Sequence, residues 1–255
     1  LAPSAHTVPP GLINVQPYVF WTKKYGSYKG NWGLDRDSSS IEITMENITQ
    51  IGLLNFLSFS LVNATYYNQF ANQASYKYGD TSLSLALQLL MGIYDTPIPA
   101  CKVSVSQSLP TGPYDKLNPL RLGTDGVGSG SYSTGFSLDF QKKVFALFRK
   151  DLSQQNYHPI TFRLSFAYTI NPKVPIEGLS VYGGANNTNG RVNPGNNFTT
   201  IFSWEWTLTQ KWVLAIDWQY TATQRTTFRG HNGGAPVGSP SSQQFSTAPA
   251  LEYNL

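Results

Sequence analysis

The chain has 255 residues and a formal net charge of +4; charged residues make up 13% of it and aromatic residues 14%. Soluble domains carry about 25% charged residues and disordered chains are charged and poor in aromatics, so this balance excludes disorder, and the shortage of Ala, Glu, Lys and Leu excludes a coiled coil. The single cysteine, Cys101, excludes an intrachain disulfide, a cysteine zinc site and a Cys-x-x-Cys redox pair, and the basic pairs Lys23-Lys24, Lys142-Lys143 and Arg149-Lys150 are too scattered to form a nucleic-acid stripe.

A spanning helix needs roughly 18 to 20 mostly apolar residues. The longest uncharged stretch, between Glu46 and Lys77, is interrupted by Asn55, Ser58, Ser60, Asn63, Thr65 and Asn68, and Leu83–Tyr94 is too short. No signal peptide is visible, and the start at Leu1-Ala2-Pro3 is the one expected of a mature or trimmed chain.

The elements repeat with a period of two, as strands do because successive side chains point to opposite faces. Weaker alternation over Ile13–Thr22, Ile41–Glu46 and Leu53–Tyr66 opens the chain. Next, Leu83, Leu85, Leu87 and Leu89 alternate with Ser82, Ser84, Ala86 and Gln88, and Val103 and Val105 with Lys102, Ser104 and Ser106. Ser131–Gln141 sets Tyr132, Phe136, Leu138 and Phe140 against Ser133, Gly135, Ser137 and Asp139. In Thr161–Ile170 the even positions are all apolar or aromatic, from Phe162 to Ile170, and the odd ones polar or small. Phe198, Phe202, Trp204 and Trp206 oppose Thr199, Ser203, Glu205 and Thr207, and Trp212, Leu214, Ile216, Trp218 and Tyr220 oppose Asp217, Gln219 and Thr221. The end, Ala250–Leu255, reads as the middle of a strand.

Gln50–Gly52, Asp95–Ala100, Gln141–Lys143, Asn171–Pro175 and Thr209–Lys211 read as tight turns. Residues 24–37, 69–79, 110–129, 151–158, 184–196 and 229–245 read as longer loops, rich in Gly, Asn, Asp, Pro and Ser. Short and long connections take turns, the layout of an up-and-down barrel. Alternation by itself does not separate a sandwich from a barrel. A soluble sandwich exposes Lys, Glu and Arg on its outer face. Here the polar face is mostly Ser, Thr, Gln, Gly and Ala, and many strands exceed the soluble length of about five or six residues. The expectation is an all-β, antiparallel, up-and-down transmembrane barrel of about twelve strands, or fourteen if the chain continues beyond residue 255. Residues 1–10 are read as an N-terminal extension and 11–255 as a single barrel domain.

Two sets of candidate residues follow. Glu42, Lys102, Asp139, Arg163, Glu205 and Asp217 lie on polar strand faces and are expected to line the lumen, as neutralising pairs or as a wet path. A charge facing lipid at midplane costs about 2 to 4 kcal/mol. Tyr18, Trp21, Tyr66, Tyr94, Tyr132, Trp206, Trp212 and Tyr220, with Phe228, lie near strand ends and are candidates for an interfacial aromatic girdle.

Catalytic and cofactor motifs are missing. Gly123–Gly130 has no following Lys and leads into a strand, so it is not a phosphate loop, and Asp125 is its only carboxylate, too few for calcium. His6, His158 and His231 show no metal spacing, and no Gly-x-Ser-x-Gly elbow occurs. No enzyme activity, metal or cofactor is expected.

Several segments resemble a known family. Thr7-Val8-Pro9-Pro10-Gly11 leads into the first strand. Ser108-Leu109-Pro110-Thr111-Gly112-Pro113-Tyr114 leaves a strand, and the run from Gly123 to Tyr132 re-enters one. With Glu205–Trp212 and Pro249–Asn254, these resemble the bacterial outer-membrane transporters of the MetA-pathway of phenol degradation family, distantly similar to long-chain fatty-acid channels. The resemblance implies a Gram-negative outer-membrane channel, with lipid around it, for passive uptake of small hydrophobic or aromatic compounds, and no catalytic residues. The alternative is a structural barrel whose long loops bind an envelope or extracellular partner without transport.

Overall fold

The structure is a computed structural model, and it describes residues 2–28, 33–35, 39–93, 96–145, 158–209 and 211–253. In chain order the strands are β1 (Ile13–Lys24), β2 (Ser27–Tyr28), β3 (Leu34–Asp35), β4 (Ser40–Leu54) and β5 (Leu57–Phe70). There follow β6 (Gln73–Tyr78), β7 (Thr81–Met91), β8 (Ala100–Leu109), β9 (Thr134–Val144) and β10 (Ile160–Ile170). The last are β11 (Val174–Glu177), β12 (Asn189–Asn193), β13 (Asn197–Thr207), β14 (Trp212–Thr223), β15 (Thr227–His231) and β16 (Ser242–Tyr253).

One antiparallel sheet forms a curled wall in the order β1-β4-β5-β7-β8-β9-β10-β13-β14-β16, with β6 paired to the upper part of β5. Because the neighbours are nearly consecutive in the chain, the topology is up-and-down. The fold is of all-β barrel type. Among the described residues ten strands make the wall's path, fewer than the twelve expected, for two reasons. β6 and β7 share one position against β5, and β11, β12 and β15 leave the wall to form a separate three-stranded sheet. Among the described residues β1 and β16 are the two edges and do not pair with each other.

The register runs without interruption along most strands. Phe162, Leu164 and Phe166 of β10 face Trp204, Phe202 and Thr200 of β13 on one side of the wall; Thr161, Arg163 and Ser165 face Glu205, Ser203 and Ile201 on the other. Bulges occur at Gly52/Leu54 and Gln88/Leu90. Three expected turns fall elsewhere. Gln50–Gly52 lies within β4, whose turn to β5 is the tight Asn55-Phe56; Gln141–Lys143 lies within β9; and Asn171–Pro175 opens the long excursion that holds β11 and β12. Gly52, the polar run Gln141-Lys142-Lys143 and Asn171-Pro172 marked these places as breaks, but the sheet ladder continued through the first two. The expected loop over 151–158 lies outside the described residues, apart from His158.

Burial is inverted relative to a water-soluble protein. Asp139 is 1% exposed and Ser203 0%, whereas Trp21 is 64% exposed and Phe245 69%. The inner face is closely packed and polar and the outer face is apolar, as a wall between lipid and a polar interior requires. At the long-loop rim the connections after β8, β10 and β14 fold into a cap. Val174, Ile176 and Val192 form its core, with Tyr114, Tyr182, Phe228 and Val237 packed against them. A lipid-covered outer face predicts that Phe166→Arg, at mid-strand in β10, costs about 2–4 kcal/mol. Urea titration of the protein folded into lipid vesicles measures it, and an unchanged midpoint would count against a lipid-facing position.

Candidate functional site

The candidate site is the polar inner face near the short-turn rim, together with the segment that crosses it. Residues 2–12 are not a free extension. They run across the inside of the wall, strand by strand. The Ala2 amide donates to Ser203 Oγ of β13 at 3.0 Å, and Arg163 Nη1 of β10 donates to the Ala2 carbonyl at 3.1 Å. The Ser4 hydroxyl and Ala5 amide donate to Gln141 Oε1 of β9 at 3.1 and 3.2 Å. Lys102 Nζ of β8 donates to the Ser4 carbonyl. Gln88 of β7 clamps the chain, accepting from the Thr7 amide at 2.9 Å and donating to the Ala5 carbonyl at 2.7 Å. The segment then meets β4, where the Gly11 amide donates to the Gly52 carbonyl and the Gly52 amide to the Leu12 carbonyl, both at 3.0 Å.

Composition explains why this segment lies here. Residues 2–11 include three prolines, at 3, 9 and 10, and ahead of Thr7 their apolar side chains are only Ala and Pro, so they form no strand of their own. Their backbone groups still need partners when buried, and long polar side chains on the inner face supply them. Ala2 and Ala5 are fully covered by the wall. At Gly52 only glycine fits, because a Cβ there would lie 1.9 Å from the Pro9 carbonyl oxygen.

Five of the six charged candidates are brought together beneath the segment. Lys102 and Asp139 stand opposite each other in β8 and β9, 3.5 Å apart, and Asp139 also accepts from Ser165 Oγ at 2.6 Å and Ser137 Oγ at 3.3 Å. Arg163 pairs with Glu205 at 2.9 Å, with side chains only 19% and 15% exposed. Asp217 accepts from Ser203 Oγ. Glu42 stands apart on β4, near the long-loop rim, accepting from Thr44 Oγ1 at 3.2 Å. The same face holds two anchors that the alternation placed on the polar side but that were not among the charged candidates, Gln88 and Gln141. Amides among Ser and Ala on a polar face were the available sign.

Beside His6, a cavity of about 240 Å³ opens between the segment and the rim, lined by Gln141, Lys142, Arg163 and Glu205 among others. Burial, and then the positive charges of Lys102 and Arg163, hold His6 below the ordinary imidazole value of 6.5. Among the described residues no three His, Cys, Asp or Glu side chains are grouped to hold a metal ion.

The girdle candidates divide. Trp21, Trp206, Trp212 and Tyr220 lie on the outer face by register. Trp212 packs against Tyr253, ring centroids 4.8 Å apart, and Lys211 Nζ sits 5.6 Å over the Tyr253 ring at the short-turn rim. Tyr18 and Tyr66 are corrected to the inner face. Tyr18 stands opposite Glu46 and donates to Gln16 Oε1 at 3.0 Å, and Tyr66 stands opposite Thr44. Parity decides this, because both share the phase of buried Thr44. Tyr132 precedes β9 and is exposed, Tyr94 lies outside the described residues, and Phe228 packs into the core of the cap.

At the other rim, Asp80 gathers the loop after β8, accepting from the Gly112 amide at 3.0 Å and from the Ser129 amide and hydroxyl at 2.7 Å. Tyr182 donates to the Ser129 carbonyl at 2.5 Å; burial, with Asp80 and Tyr114 nearby, pushes its phenol up to about 12.

No protein family and no curated protein sequence matches the chain. Among solved structures it is similar to the COG4313 outer membrane channel from Pseudomonas putida F1, with a TM-score of 0.61, 11% sequence identity and 98% of each chain covered. The chain therefore has the barrel fold seen in an outer membrane channel. That outcome agrees with the outer-membrane transporter resemblance read from its segments.

Two measurements address the segment. Gly52→Val should displace residues 8–9 and raise the labelling rate of a cysteine placed at Ala5, in a Cys101→Ser background, by about tenfold; an unchanged rate would mean that the contact does not hold the segment. Labelling should also rise on acidification. His6 folds with a depressed value, so the released segment binds a proton more readily than the docked one. Docking is at full strength above pH 6.5 and is lost as pH falls below it towards the folded value. His6→Gln should flatten that dependence.

Proposed function

We propose that the protein is a passive channel of the bacterial outer membrane, and that it takes up small hydrophobic or aromatic compounds. The observation that carries the channel reading is the inner face itself. It is a largely polar surface inside an apolar wall, crossed near one rim by the N-terminal segment, which is held through side-chain hydrogen bonds. A structural barrel has no need of a removable piece, because its inner side chains would satisfy one another directly. The fold likeness to an outer membrane channel supports the same reading.

In this scheme the wall provides the path and the segment sets its width at the short-turn rim. Paired charges leave little net field, so the path does not strongly select by charge. Lys102–Asp139 and Arg163–Glu205 neutralise each other in place, which suits a neutral solute better than an ion. The exposed apolar outer face implies lipid as the surrounding partner. Support for aromatic or hydrophobic solutes comes from the resemblance of the segments around Ser108–Tyr114 and Gly123–Tyr132, and from this charge neutrality.

Reconstitution tests the proposal. In proteoliposomes the protein should admit a small neutral aromatic such as phenol faster than a sugar of similar size, with low ion conductance. Removing residues 1–10 should raise conductance several-fold. A protein that neither conducts nor admits phenol, even without the segment, would overturn the channel reading. Arg163→Met should leave Glu205 buried without its partner and release the Ala2 carbonyl. A loss of about 3–5 kcal/mol is expected for a broken buried pair, together with a leak of ions.

A further inference from the structure

The small sheet β11–β12–β15 has two faces. One packs into the core of the cap. The other is exposed and carries Lys173, Arg191 and Arg229, which line a cavity of about 490 Å³ together with Asn193, Thr227 and Phe228. Arg191 stands directly opposite Arg229 in the register of β12 and β15. Like charges placed directly opposite destabilise a strand pair. The three strands contain a single acid, Glu177, and Lys116 holds it at 2.8 Å. Among the described residues, Lys173, Arg191 and Arg229 have no ion pair. The face thus concentrates positive charge with nothing of its own to neutralise it.

Its position narrows the choice of anion. β10, β13 and β14 end at Ile170, Asn197 and Thr223 on the long-loop side, and the cationic cluster begins only a few residues beyond, at Lys173, Asn193 and Thr227. Within a few residues of the same strand ends, the outer face of the wall shows the exposed pair Tyr168 and Phe198, opposite each other in register. Aromatic rings at the end of a lipid-facing strand followed in the chain by a cationic cluster suit the boundary between acyl chains and charged headgroups. Arginine forks match phosphate oxygens in a bidentate way, and an anion set between Arg191 and Arg229 removes their repulsion.

We propose that this face binds the phosphate groups of anionic lipid headgroups at the membrane surface on the long-loop side. The contact fixes the height of the barrel in the membrane and steadies the cap. It is independent of what passes through the lumen.

The full chain, folded in neutral detergent, is heated with dihexanoyl phosphatidic acid, with dihexanoyl phosphatidylcholine or with inorganic phosphate at one concentration. Phosphatidic acid should raise Tm by about 2–4 °C, phosphatidylcholine should not, and the rise should fade with salt. Arg191→Gln/Arg229→Gln should abolish the rise while leaving the lipid-free Tm unchanged or higher, since it relieves the opposed charges. Should that double variant fail to fold, Lys173→Gln is read the same way and should reduce the rise. No rise in the unmodified protein, or an undiminished rise in the variants, overturns the proposal. An equal rise with inorganic phosphate would assign a free-phosphate site instead and overturn the lipid assignment. Conductance should be the same in all variants, so failure here is separable from failure of the channel reading.

Discussion

Everything in this structure depends on one constraint: a strand surrounded by lipid has no water to satisfy its backbone, so its hydrogen bonds must go to neighbouring strands. The long ladders of β1, β4, β5 and β7 to β10, broken only by the bulges at Gly52/Leu54 and Gln88/Leu90, meet that demand along the wall. The same ladders fix the phase of every side chain. Once Phe162 points outward, Thr161 and Arg163 must point inward. A one-residue slip of β10 would turn Arg163 against lipid, and a slip of β9 or β8 would do the same to Asp139 or Lys102. Each of these strands therefore carries its own charge that holds its register.

The inward phase creates a second demand. Polar side chains removed from bulk water need partners, and the inner face meets it in two ways. Lys102, Asp139, Arg163, Glu205 and the serines around them satisfy one another across neighbouring strands. Gln88 and Gln141 turn instead to the backbone of residues 5–7. The N-terminal segment is thus part of the interior's hydrogen-bond system, and its three prolines and small side chains suit it to lie across a wall rather than join it.

Much of this was legible in the sequence, because a period of two survives in composition. The phase of β9, β10, β13 and β14 could be read from Phe136–Phe140, Phe162–Ile170, Phe202–Trp206 and Trp212–Tyr220, where large and small residues alternate strictly. The phase of β1 and β5 could not be read in the same way. Tyr18 and Tyr66 are amphipathic, and an aromatic ring near a strand end fits either face; only the cross-strand partners Glu46 and Thr44 decide it. Turn chemistry misled at Gln50–Gly52 for a related reason. Gly52 is present because Pro9 passes close by, a contact between residues 43 positions apart that no local pattern records. The crossing of residues 2–12 was invisible on the same grounds, and so was β12 inside the Asn- and Gly-rich run 184–196, where five residues pair only with strands far along the chain.

The two rims are closed by physically different devices, and the difference bears on which can open. The cap has an apolar core of Val174, Ile176 and Val192, paired strands and a half-buried Asp80 hub, so displacing it exposes apolar surface and breaks a cooperative unit. The N-terminal segment buries no apolar side chain larger than alanine before Thr7 and is held by separate hydrogen bonds to Ser203, Arg163, Gln141, Lys102 and Gln88. Each of those can be exchanged for water at a net cost of about 1 kcal/mol, somewhat more where a charged donor is involved. Local opening in proteins begins where apolar burial is least. By that argument the N-terminal segment at the short-turn rim detaches before the cap does, residue by residue from Ala2, and the loop rim is the more firmly held end.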